Sequence, residues 1–359
     1  MYNYFDKMNP MVRDYFNILS EEFPDFLYDY INTDRMLKQD NISVSCGTYY
    51  SNMFDNLWYS SLDHSIGVAL ITWNFTHDKK QTLAGLFHDI STPVFKHSID
   101  FMNGDSETQE STEDLTKDMI LNSKEIMDLL KRDNIDIDEV CDYHIYSICD
   151  NDIPKLSADR LEYTLSNGLG IIKKIWNLDD IKRIYNNICI VKNEDKIDEM
   201  CFKDKDIAEE FVKGMSELSL LYMDDKRRFS MEFLAHTIKL MIEDNIITIE
   251  NLYNLSEDEV INKIKNCDKN NISNSFKIWQ EGIDVNTSDN YVEDKYNVKV
   301  NGKKRYIDPL VIDNNQINRI SSISSNSYNN INKVLDYSFD RYVYMDFDFD
   351  NKDKILIKK

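Results

Sequence analysis

The chain has 359 residues, 42% of them hydrophobic, enough for one large domain or two ordinary ones with a sizeable core. Its 42 Lys and Arg stand against 64 Asp and Glu, a net charge of −22. Such a surface repels polyanions, so duplex nucleic acid is excluded as an expected partner. Only 9 Gly and 5 Pro occur, which favours helices joined by polar turns over sandwiches or barrels. No P-loop or dinucleotide-binding glycine string is present.

The six cysteines (46, 141, 149, 189, 201 and 267) are scattered with no C-x-x-C pair, so free thiols are expected. The first residues carry neither a basic nor an apolar leader stretch. No apolar run approaches the ~18 residues of a membrane span. The expectation is a cytoplasmic protein without membrane contact.

In chain order, Met8 to Lys265 reads as helix almost throughout. Ile66, Leu70, Trp73 and Asn74 mark one amphipathic helix, and Thr82 to Phe87 continue as a second, apolar one. Ser111-Thr112-Glu113-Asp114 opens a third, running through Ile120, Ile126 and Leu130, and His144 is placed on a further amphipathic helix. Ser157 begins the next, with Leu161, Leu165 and Leu169 on one face. Asp204 to Asp224 and Lys226 to Asp244 follow as two long helices. After a boundary near Asn286 the pattern changes. Asn297 to Ile307 alternates across Asn301-Gly302, a hairpin signal. Ser321 to Asn330 reads as a polar loop, and 341–349 and 354–357 as short strands. The expected fold is mainly α, with a helical domain over 1–285 and a small mixed α/β subdomain over 286–359.

Four of the six histidines fall between His64 and His97. His88 and Asp89 end the apolar stretch Leu83-Ala84-Gly85-Leu86-Phe87. Buried charges cost several kcal/mol unless paired or metal-bound. Imidazole with carboxylate suits a divalent ion such as Mn, Fe, Zn, Ni or Mg.

The segments Asp63-His64-Ser65-Ile66, Gly85-Leu86-Phe87-His88-Asp89 and Ser157-Ala158-Asp159-Arg160-Leu161-Glu162-Tyr163 resemble the H…HD…D motifs of the HD superfamily of metal-dependent phosphohydrolases. The resemblance spans about 47–244. It implies an HD-domain helical bundle in which His64, His88, Asp89 and Asp159 converge on one divalent metal. Thr92-Pro93-Val94-Phe95-Lys96-His97-Ser98-Ile99-Asp100 is similar to a segment of the deoxynucleoside triphosphate triphosphohydrolase arm. That arm implies substrate contact by His97, a catalytic part for Asp100, and substrate binding by Arg160, Tyr163, Lys226 and Arg227; Glu113, next to Thr112, is this chain's own further catalytic candidate, a carboxylate to replace a missing histidine. Histidines of the arm are replaced by Thr92 and Thr112, its arginine before the first metal histidine by Ser61, and a later tyrosine by Leu234. The stretch Asn103 to Glu113 resembles a bacterial subgroup with a motif of its own.

Each of these residues also has a structural reading. His97 can cap a short helix, Glu113 can cap the helix after Ser111, and Lys226, Arg227 and Arg228 can form a solvated face. His144 reads as a core histidine, His236 as packed in the core and His77 as a helix C-terminal residue. The function expected is metal-dependent hydrolysis of a nucleotide or related small phosphoester, with homo-oligomers compatible. The alternative is a nucleotide-binding sensor that keeps the metal without turnover.

Overall fold

Residues 4–112, 115–282 and 284–345 are described by the structure, a computed structural model. Ser60 accepts a hydrogen bond from Asp63 N while Asp63 reaches back to Ser60 N, a capping box that starts the helix Ser61–Thr76. That helix is apolar on all sides and buried from Ser61 to Thr72, so it forms the centre of the molecule. It ends at His77, which takes the left-handed conformation (φ 47°). The helices Lys79–Phe87 and Ala158–Ser166, capped by Asp78 and Ser157, pack on it. The long helices Lys205–Tyr222 and Asp225–Glu243 are found where the sequence places them. No helix among the described residues is long and apolar enough to cross a membrane.

Seven strands are found among the described residues: β1 (Ile188–Lys192), β2 (Asp198–Phe202), β3 (Val285–Ser288), β4 (Tyr296–Val298), β5 (Leu310–Asp313), β6 (Gln316–Arg319) and β7 (Tyr342–Met345). One sheet has the order β1-β2-β5-β6 and the other β3-β7-β4. Cys201 lies opposite Leu310 where β2 and β5 pair in parallel. The residues after 286 thus extend a sheet begun by a hairpin within the helical part.

Several sequence expectations are corrected. The stretch 188–202 is a hairpin, turned by Asn193, whose side chain accepts from Asp195 N and Ile197 N. No hairpin forms across Asn301-Gly302: β4 pairs with β7, and Arg228 takes the carbonyl of Val300. The polar stretch 321–330 is helical, as Ile320–Ile323 and Ser325–Leu335, because Ile331 and Val334 bury against Lys205–Tyr222. The third helix is two, Thr116–Asn122 and Lys124–Arg132, parted at the capping residue Ser123. His144 lies on a 3₁₀ turn and is more than half exposed, so it is no core histidine. Glu113 and the strand expected at 354–357 lie outside the described residues.

One buried acid anchors a turn that matters below. Glu257 is fully buried and accepts from Phe95 N at 3.0 Å. Burial pushes its carboxyl up to about 8, and the backbone N–H groups of Phe95 and Ser43, with Lys38, offset this only in part. A raised folded-state pKa favours the folded state below the unfolded value and loses that advantage as pH rises through the folded one. Stability should therefore decline between about pH 4.5 and 8, by a few kcal/mol in order of magnitude. Glu257→Gln should flatten the fall of Tm over that window; the same slope in both proteins would contradict this role.

Candidate metal centre

Three helices bring the sequence-singled ligands together. His64 stands in the first turn of Ser61–Thr76, His88 and Asp89 follow the end of Lys79–Phe87, and Asp159 is in the first turn of Ala158–Ser166. The ligand atoms of His64, His88 and Asp89 all lie within 4.8 Å of one another. Asp159 Oδ1 is 3.1 Å from His64 Nε2 and 3.7 Å from His88 Nε2. The two Nε2 atoms are 3.2 Å apart. Nitrogens bonded to one ion at 2.0–2.1 Å stand about 2.9–3.4 Å apart, for octahedral and tetrahedral geometry respectively.

Both imidazoles are oriented from behind. His88 Nδ1 donates to Gly85 O at 2.7 Å. His64 Nδ1 is bonded to Glu162 Oε2, whose other oxygen accepts from Tyr59 OH at 2.6 Å. Carboxylate and carbonyl partners of this kind fix ring and tautomer and leave Nε2 for a metal. Burial opposes charge on His64, yet Glu162 and Asp159 outweigh it and push its pKa up to about 10. Burial likewise opposes charge on Asp89, but Lys96, His88 and His64 hold its carboxyl well below the usual range. The cluster draws positive charge, and two imidazoles with two carboxylates fit a borderline or hard divalent ion.

The cluster lies at a cavity of about 630 Å³. Lys96, Arg160, Arg227, Arg228, Lys303 and Arg305 also line it, a local concentration of cations in an acidic chain. His97 lines it too. Its Nδ1 donates to Asp100 Oδ2 at 2.9 Å and its Nε2 accepts from Arg305 at 3.2 Å. Burial, helped by Arg305, lowers the pKa of His97 despite Asp100. Asp100 is fully buried behind His97, accepts from Ser111 Oγ at 2.6 Å and is not among the lining residues.

The expected substrate residues divide. Tyr163 lines the cavity, with the Arg305 guanidinium 5.9 Å from its ring centre. Arg227 faces it from a hydrogen bond to Asp224 at 3.2 Å. Arg160 also reaches it, but its Nη1 already meets Asp150 (3.0 Å), Asn151 Oδ1 (2.8 Å) and Ser157 Oγ (3.1 Å). Lys226 pairs with Asp284 at 3.0 Å and is not among the lining residues. Thr92 and Thr112 are not among them either. Sequence reasoning missed Glu162, Lys96 and Arg305. Glu162 was open to it, being one turn after Asp159 on the same helix; Arg305 joins His97 across 208 positions and gives no local signal.

No family model matches the chain. It is 26% identical over 256 residues to YdhJ, an uncharacterized protein of Bacillus subtilis, covering 69% of this chain and 73% of that one. Its fold is shared with a phosphohydrolase from Bacteroides thetaiotaomicron VPI-5482. The TM-score is 0.61 at 13% identity, over 90% of this chain and 96% of that one. It is shared equally with a hypothetical protein from Aquifex aeolicus. There the TM-score is 0.61 at 14% identity, over 94% and 96%.

The support of His64 is testable through Gly67. A Cβ there would lie 2.7 Å from Glu162 Cγ and 2.8 Å from its Oε1. Gly67→Ala should therefore displace the carboxylate that orients His64 and weaken divalent-metal binding roughly 10- to 100-fold, read by titration with Mn²⁺. Wild-type affinity in this variant would refute the role given to Glu162.

Proposed function

We propose that this chain is a metal-dependent phosphohydrolase of the HD type, acting on a nucleotide or related small phosphoester. The observation that carries the reading is the His64–His88–Asp89–Asp159 cluster opening into a cavity rich in Lys and Arg. The fold shared with a phosphohydrolase supports it. When bound there, a divalent ion would supply Lewis acidity, polarising a phosphoryl oxygen and making water a better nucleophile.

The chain's own groups supply the rest. Arg305 and Arg227 offer cationic N–H groups to substrate oxygens. Tyr163 presents a ring to the organic part of the substrate. His97 is held by Asp100 with Nδ1 protonated, so Nε2, which here accepts from Arg305, is the atom that meets the substrate or takes up a proton once that guanidinium turns to the substrate. Its lowered pKa keeps it neutral near pH 7 and suits it to accept a proton rather than donate one. The replacement of two family histidines by Thr92 and Thr112 favours a second reading, a sensor that binds nucleotide without turnover.

Release of phosphate, pyrophosphate or triphosphate from a nucleotide panel with Mn²⁺ separates the two. Turnover is expected. Asp100→Asn should lower it at least tenfold with metal content unchanged, because the variant loses the partner that orients His97. Nucleotide binding without hydrolysis in any metal would establish the sensor instead.

A further inference from the structure

Lys96 stands where neither the motif nor its departures call for a cation. The chain reaches it through two successive residues of positive φ, Phe95 (φ 64°) and Lys96 (φ 41°, ψ −120°). Neither is glycine, and such backbone is kept only where its surroundings enforce it. Here Val94 N bonds to Leu252 O at 2.9 Å and Phe95 N to Glu257 Oε1 at 3.0 Å, while the Phe95 ring is fully buried. The turn drives the Lys96 side chain inward until only 8% of the residue is exposed. Its ammonium is bonded to Asp89 Oδ2 and lies 3.4 Å from Ser61 Oγ.

Asp89 divides its two oxygens. Oδ1 faces the imidazoles, 3.8 Å from His88 Nε2, and Oδ2 faces Lys96. A neutral donor already serves Oδ2, since Ser61 Oγ lies 3.2 Å from it. Support of the carboxylate therefore needs no ammonium. The Asp89 carboxylate lies between this buried ammonium and the cation site, and a phosphoryl group in the cavity would bring a second anion within reach of the ammonium. Lys96 lines the cavity and has a third N–H beyond its two bonds.

We propose that Lys96 is a substrate-contacting residue: anchored on Asp89 and Ser61, its ammonium gives its remaining N–H to a non-bridging oxygen of the phosphoryl group lying against the metal cluster. The proposal rests on the phosphohydrolase reading for the identity of the substrate. Lys96 forms and breaks no covalent bond. It offsets charge on the phosphoryl oxygens beside the metal cluster.

The test uses the full chain loaded with Mn²⁺, with pyrophosphate and inorganic phosphate as probes in calorimetry and metal content measured in parallel. Lys96→Met and Lys96→Gln should both keep the metal, or bind it more tightly. Each should lose roughly 10- to 100-fold in pyrophosphate affinity, and Lys96→Arg should recover most of it. Lys96→Gln keeps a donor for Asp89 and removes only the charge, so it remains informative if Lys96→Met fails to fold. Wild-type pyrophosphate affinity in Lys96→Gln overturns the proposal. So does loss of metal with unchanged affinity in the molecules still loaded. Lys96-dependent pyrophosphate binding by a chain that hydrolyses no phosphoester upholds this inference and removes only the hydrolase reading.

Discussion

Two carboxylates and two imidazoles meet inside an apolar helical assembly, and that concentration of donors governs the rest of the molecule. Left without positive charge it would be costly, because buried carboxylates repel each other and lose their hydration. The surroundings respond in kind. His64 is driven toward its charged form by Glu162 and Asp159, and Lys96 is folded inward onto Asp89. The helix Ser61–Thr76 is buried on every side from Ser61 to Thr72, so His64 stands on a rigid support, and the helices that carry Asp159 and end at His88 pack against it.

The rigidity reaches outward through specific contacts. Gly67 lets Glu162 come close enough to hold His64. Glu257 and Leu252, well down the chain, fix the turn that aims Lys96. The extended segment after β4 lays Arg305 against His97 and Gln109, and Asn301 and Lys303 against Glu107 and Glu110. One wall of the cavity thus comes from residues about 200 positions away from those they meet. The C-terminal strands and the cavity are therefore mechanically linked, and truncation before 300 would remove cations from the site.

How much of this the sequence discloses follows from the range of each interaction. The metal set is legible because each member carries local marks: a capped helix start before His64, an apolar helix ending at His88-Asp89, and Ser157 as the cap before Asp159. The two long helices are legible from period and caps. Lys96 is not, since its meaning depends on a positive-φ turn enforced by residues 158 and 162 positions downstream of their partners. The helix Ser325–Leu335 is hidden by its polar composition and forms because two side chains find a buried partner face. The Asn-Gly hairpin fails for the converse reason: a local turn signal yields to the pairing of β4 with β7, set by residues more than 40 positions on.

The most direct test concerns whether His64 and His88 bind one divalent ion together with carboxylate oxygen. X-ray absorption at the edge of the metal carried by purified protein measures this directly. About one metal per chain is expected, bound by two imidazole nitrogens and otherwise by oxygen. A shell with sulfur, or one without imidazole, would contradict it.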